Sequence, residues 1–169
     1  AMPGRSFGEL VSMAGLSDES SPRTKGRVGV AAEAYFGMEA DNLPEPDFRA
    51  AKIELKTVPL RPREDEILVK ERVFISMIDY HGLTEEEWPT ASVRGKLDRI
   101  LFVYYDWRPR APLGDLVVSD IVLWKPSIEM ISAFGSDWRA VRKLVLEGRA
   151  QEISESQGSS LVAATKGPG

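Results

Sequence analysis

Residues 100–107 (ILFVYYDW) constrain the fold more than any other stretch of this chain. The run is dominated by β-branched and aromatic side chains and is too short for a core helix. It is the most strand-like run of the chain, and the strand expected at 72–80 reads as covered on both faces. Further strands are expected at residues 53–60, 67–69, 72–80 and 120–124. Helical patterns lie before and after this group. Strands that follow one another, rather than alternating with helices, point to a mixed β-sheet flanked by helices. That is an α/β (α+β) sandwich and not a doubly wound fold.

At 169 residues the chain has the length of one domain with a proper core. Apolar residues make up 43% and charged residues 28%, as in an ordinary soluble protein. The absence of cysteine excludes disulfides and thiolate metal sites and suits a reducing, cytoplasmic setting. No apolar run approaches the roughly 20 residues of a membrane span, so no membrane partner is expected. The net charge of −4 does not advertise a nucleic-acid binder. A local basic face matters more than the total, however, and a metal site that cuts DNA must itself be acidic.

Local signals place the remaining elements. Ser6 and Glu9 form a capping box that starts a helix over residues 7–14, closed by Gly15. Residues 28–36 read as a mostly apolar helix that Gly37 stops, with Glu33 on or near its buried side. A carboxylate there needs a partner or a metal, unless it stands at the helix margin and meets solvent or a lysine, which the residues alone favour. Pro59 and Pro62 are expected to bracket a charged turn at 61–65, His81-Gly82 to open a loop, and residues 91–99 to be a connector carrying Arg94, Lys96 and Arg99. A short helix is expected over 127–134. A second should start at Ser136, bury Trp138, Val141 and Leu144, and end at Gly148. The tail reads as a hairpin turning near Gln157-Gly158.

The stretch 43–60, LPEPDFRAAKIELKTVPL, carries the chemistry. Asp47 precedes Glu54 by seven positions, and Lys56 follows Glu54 by two. On a strand, residues two apart share a face, so Glu54 and Lys56 project together while Ile53 and Leu55 face the other way. Two carboxylates can hold Mg²⁺, which takes oxygen ligands and keeps several waters. With an ammonium alongside, that is the equipment of metal-assisted phosphodiester hydrolysis. The same spacing also suits an exposed ion pair on a strand's solvent face, which is worth little. No phosphate-binding glycine loop, dinucleotide fingerprint, serine-hydrolase elbow or histidine-rich metal spacing is present. The single histidine, His81, reads as a surface residue.

The segments KGRVGVAAEAYFG, EPDFRAAKIELKTVP, KERVFISMIDY, SDWRAVRKLVLEGRAQEISES and ATKG occur in this order. Together they resemble the MutH and GATC-cutting restriction endonuclease family. The similarity runs from Phe7 to Gly167, and KERVFISMIDY, EGRAQEISE and TKG look closer to the restriction branch. The resemblance implies a restriction-endonuclease-like (PD-(D/E)xK) fold and Mg²⁺-dependent hydrolysis of double-stranded DNA, with Asp47 and Glu54 as metal ligands and Lys56 as the catalytic lysine. It makes Glu33 a helix-borne acid of the catalytic centre and Lys96 a lysine near the scissile phosphate. Lys25, Lys96, Thr165 and Lys166 become DNA contacts, with Arg23, Arg27, Arg94 and Arg149 as further phosphate-contact candidates.

Three functions follow as expectations. The first is a type II restriction enzyme cutting both strands at GATC, which needs a homodimer on DNA or two successive binding events. The second is a methyl-directed mismatch-repair nickase, and the third is a non-catalytic DNA-binding domain. Family domains continue beyond the Thr-Lys-Gly segment, so residues 1–169 are expected to be one endonuclease domain shortened at its C-terminus.

Overall fold

The strand expected at 100–107 is the spine of the sheet. In the computed structural model, which describes residues 2–15, 26–38 and 43–164, strand β3 (Ile100–Asp106) lies between two others. It runs parallel to β1 (Glu54–Arg63) and antiparallel to β4 (Val118–Trp124). The short β2 (Glu66–Val69) pairs antiparallel with the far end of β1, giving the order β2-β1-β3-β4. The sheet is therefore mixed and helix-flanked, as the order of elements requires.

The chain divides into two compact units, Ala1–Phe74 with Arg99–Trp124, and Ile75–Asp98 with Lys125–Gly169. The first holds the sheet and two helices, α1 (Phe7–Met13) and α2 (Arg27–Tyr35). The capping box of α1 is complete: Glu9 N–H donates to Ser6 Oγ at 3.2 Å, and Ser6 N–H donates to Glu9 Oε2 at 2.8 Å. Phe7, Leu10, Ala31 and Ala32 from the helices join Leu55, Val103, Tyr105 and Val118 from the sheet in one buried cluster. The Phe7 ring meets the Tyr105 ring edge-on at 5.6 Å. Burial, with the Glu71 charge adding to it, pushes the Tyr105 hydroxyl up to about 12.

The second unit is helical: α3 (Tyr80–Glu85), α4 (Ser92–Leu97) and the long α5 (Ile128–Leu146). Trp88 and Trp138 pack with ring centroids 5.8 Å apart. Arg142 of α5 donates to the carbonyls of Leu83 and Thr84 at 3.1 Å each and to Glu87 Oε1 at 3.0 Å, tying down the end of α3. No helix among the described residues is long and apolar enough to cross a membrane.

Several local expectations are corrected. β1 does not turn at Pro59–Pro62 but continues to Arg63. Pairing with β3 ends at Leu60, where pairing with β2 begins, so Pro62 sits where the β3 flank is open, while the Pro59 carbonyl accepts from Lys70 N–H at 2.9 Å and the chain turns only at Glu64–Asp65. Residues 72–79 form no strand; Asp79 instead caps α3, accepting from His81 N–H at 3.0 Å. His81 thus lies in the first turn of a helix, and residues 92–97 are helical rather than a plain connector. The two helices expected over 127–148 are one, and Ser136 donates its hydroxyl to the Ser132 carbonyl at 3.1 Å rather than capping. The tail forms no hairpin; it makes two 3₁₀ turns, Ala150–Glu152 and Glu155–Gln157.

Candidate active site

A tight reversal delivers Asp47 to the start of β1. Phe48 N–H donates to the Ile53 carbonyl at 2.9 Å, and Ile53 N–H donates back to Phe48 at 3.3 Å. Between them the chain turns through Lys52, whose φ of 53° lies in the left-handed region. A non-glycine residue enters that region only at a cost, so the surrounding bonds must enforce it. The result is that one Asp47 oxygen, Oδ2, accepts the Leu55 N–H at 2.7 Å. Asp47 is thereby locked beside the backbone of the residue that follows Glu54.

Glu54 and Lys56 share a face, as the strand period requires, and their side chains touch: Lys56 Nζ donates to Glu54 Oε1 at 2.5 Å. The pair is not a surface ion pair. The Glu54 side chain is 1% exposed and that of Lys56 is 19% exposed. Withdrawal from water makes such a pair matter far more than an exposed one, since either group left alone there is costly. In the sheet register Glu54 stands beside Ile100, and Lys56 beside Phe102. Phe102 in turn packs against Tyr104 at 5.8 Å and Trp124 at 6.0 Å, so the charged pair sits next to an aromatic row.

Glu33 lies on α2, which packs against β1, and its Oε2 atom is shielded from solvent. The residue as a whole is half-buried, with that one oxygen turned away from solvent. The first unit thus carries Glu33, Asp47, Glu54 and Lys56 together. Lys96 belongs to the second unit, on α4, and is 9% exposed. Lys25, Thr165, Lys166 and Arg23 lie outside the described residues. Of the weaker phosphate-contact candidates, Arg94 is paired with Asp98 and lies over the Trp88 ring at 5.9 Å. Arg149 is held by Glu147 at 2.8 Å and Glu152 at 2.6 Å. Both of these charges are met locally.

Two carboxylates fit a hard, oxygen-seeking cation. Asp47 has one oxygen anchored by a backbone N–H, and Glu54 is pre-positioned on a central strand. Among the described residues no three histidine, cysteine or acidic groups converge in a metal-holding geometry. A hard cation held by Asp47 and Glu54 would take the rest of its oxygen ligands from water.

Sequence reasoning missed Asp137. A helix starting at Ser136 would hold it in the first turn, yet it lies mid-way along α5 and is 9% exposed, and Ser159, Ser160 and Leu161 N–H all donate to its Oδ2. The available signal was its spacing: Phe134, Asp137, Trp138 and Val141 share one helical face, and an acid on an apolar face needs dedicated donors.

A mixed sheet flanked by helices, with two acids and a lysine gathered at its parallel strand pair, has the restriction-endonuclease-like architecture. Comparison with known proteins narrows the class. A family model described as DNA mismatch repair enzyme MutH matches residues 36–137. The DNA mismatch repair protein MutH of Citrobacter koseri is 32% identical over 161 residues, covering 95% of this chain and 69% of that protein. The protein of the same name from Escherichia coli O139:H28 is 32% identical over 165 residues, with the same coverage. The chain belongs to the MutH family.

Proposed function

We propose that this protein is a Mg²⁺-dependent endonuclease that nicks one strand of duplex DNA at GATC in mismatch repair, with residues 1–169 serving as its endonuclease domain. The observation that carries the chemistry is the join of Asp47 to Leu55 N–H, with Glu54 and Lys56 in contact beside it. Family membership supports the DNA substrate and the repair setting. Segments 70–80 and 147–155 suggested the double-strand-cutting branch, but the relatives are mismatch repair proteins, which favours the nickase.

In this reading Asp47 and Glu54 hold the cation. When bound, Mg²⁺ supplies Lewis-acid polarisation of the phosphate and a more acidic water. Lys56 brings positive charge to the same strand face, offsetting the repulsion between the carboxylates and the polyanion and steadying charge that grows on the phosphate. Glu33 adds an acid from α2, and Lys96 a second lysine. Lys25, Lys96, Thr165 and Lys166 contact the duplex, with Thr165 and Lys166 reading base edges.

Supercoiled plasmid incubated with Mg²⁺ tests both levels. Open circles that persist are expected; linear product would return the restriction reading. Asp47→Asn and Glu54→Gln are the informative variants, because each keeps an acceptor for its present partner, Leu55 N–H or Lys56 Nζ, while removing the charge. Both should lose cleavage and keep DNA binding. Undiminished cutting by either variant would overturn the metal-ligand roles. Specific binding by the wild type without any cutting would leave a DNA-binding module.

A further inference from the structure

We propose that Lys52 is a DNA-backbone contact at the rim of the acid centre, holding a phosphate beside the one that is cut. The idea rests on the reading of Asp47, Glu54 and Lys56 as the cleavage site.

The backbone at Lys52 is the first observation. Among the described residues, three other than glycine have φ in the left-handed region: Lys52 at 53°, Glu64 at 54° and Arg110 at 59°. A side chain there brings its Cβ too near the following carbonyl oxygen, a clash that glycine escapes. Glu64 belongs to the turn between β1 and β2, and Arg110 to the loop after β3. Only Lys52 lies in the reversal that locks Asp47, between the residues Phe48 and Ile53 whose mutual bonds close it. That turn needs a left-handed residue, and glycine would supply it without strain. A lysine kept in its place points to a use for the ammonium.

The charges around it say what the use is. Glu33, Asp47 and Glu54 bring three carboxylates to the first unit, and Lys56 is bound to one of them. Such a centre attracts a divalent cation but repels a polyanion at close range. Within the reversal, Arg49 is engaged by Glu45 at 3.0 Å. Lys52 is exposed, and among the described residues its ammonium has no ion pair or hydrogen bond. It stands two residues before Glu54, so the two Cα atoms are within about 7 Å of each other. One strand of duplex DNA offers a charge for every 3.4 Å or so of its axis, about 3.4 Å being the rise per nucleotide. A point charge on a flexible four-carbon stem can therefore meet a phosphate next to the scissile one, and phosphate contacts of this kind set register on the duplex without reading sequence.

The test measures binding of the full chain to a GATC duplex by fluorescence anisotropy, without divalent metal, over about 50 to 200 mM salt. Lys52→Gly removes the charge and the strain together and keeps the turn. Its salt slope should be shallower by about 0.9, and its affinity near 0.1 M salt lower by roughly eightfold, the factor one released counterion is worth there. Its urea midpoint should stay at or above that of the wild type. Lys52→Arg keeps the charge and should bind as the wild type does. Arg110→Gly is the control. It too removes an exposed cation from a left-handed position. β3 runs parallel to β1 with Ile100 beside Glu54 and Asp106 beside Leu60, so Arg110 lies past the far end of the strand, and its salt slope should match the wild type. A wild-type slope and affinity in Lys52→Gly, a urea midpoint of that variant below the wild type, weak binding by Lys52→Arg, or an equal loss in Arg110→Gly would each overturn the proposal. A wild type that does not bind the duplex, or binds it without salt dependence, would instead overturn the DNA-cutting reading on which it stands.

Discussion

Replacing Gly135 by alanine tests whether α5 owes its continuity to the contact with Trp88. A Cβ built on Gly135 would stand 2.7 Å from Trp88 Nε1 and 3.0 Å from both Cδ1 and Cε2. These are atoms of a rigid ring that has little room to retreat. Trp88 is 6% exposed, with Trp138 at 5.8 Å and the Arg94 guanidinium at 5.9 Å. Two effects oppose each other. Alanine is favoured over glycine inside a helix by about 0.8–1.0 kcal/mol, whereas forcing extra volume into a packed contact costs about 1–3 kcal/mol. The clash wins, leaving a net loss of up to about 2 kcal/mol.

Gly95, on α4 of the same unit, is the control. A Cβ there meets nothing within 4 Å, so Gly95→Ala gains the propensity term alone. The difference between the two substitutions isolates the Trp88 contact at about 1–3 kcal/mol. With an m-value of about 2 kcal/mol/M in urea, the midpoints should differ by roughly 0.5–1.5 M. Urea titrations followed by far-UV circular dichroism provide the measurement, with unchanged m confirming that midpoints report stability. In a Trp88→Phe background, where the ring is smaller, Gly135→Ala should cost less. If Gly135→Ala proves as stable as Gly95→Ala, the ring yields freely and the explanation for the unbroken α5 fails.

Two further outcomes are expected. Arg142→Lys should destabilise the second unit by about 1.5–3 kcal/mol, because one ammonium cannot serve the Leu83 and Thr84 carbonyls and the Glu87 carboxylate together; urea midpoints within about 0.3 M of wild type would contradict this. Asp137 should contribute an acid-sensitive part of stability. Burial pushes its pKa up, but the N–H groups of Leu161, Ser160 and Ser159 and the Ser159 hydroxyl push it down further, so the folded value lies below the unfolded one. Its contribution is therefore complete above the unfolded value of about 3.9 and is lost as pH falls through the folded value. Asp137→Asn should lose stability at neutral pH yet close the gap to wild type below about pH 4, and a gap independent of pH would refute the linkage.

The sequence made elements legible wherever a local signal set the outcome. The capping box of α1, the glycine that ends α2 and the apolar run of β3 all depend on neighbours within a few residues. Reading failed where a distant partner decided. Gly135-Ser136 looks like a break between two helices because glycine is a weak helix former, but here the missing Cβ makes room for Trp88, far off in sequence. The tail looked like a hairpin for a related reason. Its turn at Gly158 is real, but the N–H groups beyond it go to a carboxylate more than twenty positions upstream rather than to a facing strand. Residues 72–79 have the composition of a strand and no strand partner among the described residues. Composition alone therefore could not decide their state.

The candidate site divides along the same line. The contact between Glu54 and Lys56 follows from the strand period, and any strand through residues 54–56 would place both side chains on one face. Asp47 is different, since nothing in strand geometry brings a residue seven positions upstream back to the same place. That return requires the reciprocal Phe48–Ile53 bonds and a lysine held at φ 53°. The strained turn, rather than the acid–lysine spacing, distinguishes this arrangement from an ordinary ion pair on a strand. Backbone strain of this kind costs about 1–3 kcal/mol and persists only where surrounding structure enforces it. Relaxing the turn would free Asp47 from Leu55 N–H and leave Glu54 with Lys56 as its paired charge. On the proposed reading this centre would serve one phosphodiester at a time, so the choice between nicking one strand and cutting two would not lie in it. That choice must come from what the rest of the surface binds, and there the relationship to mismatch repair proteins, rather than the geometry of the acids, favours the single cut.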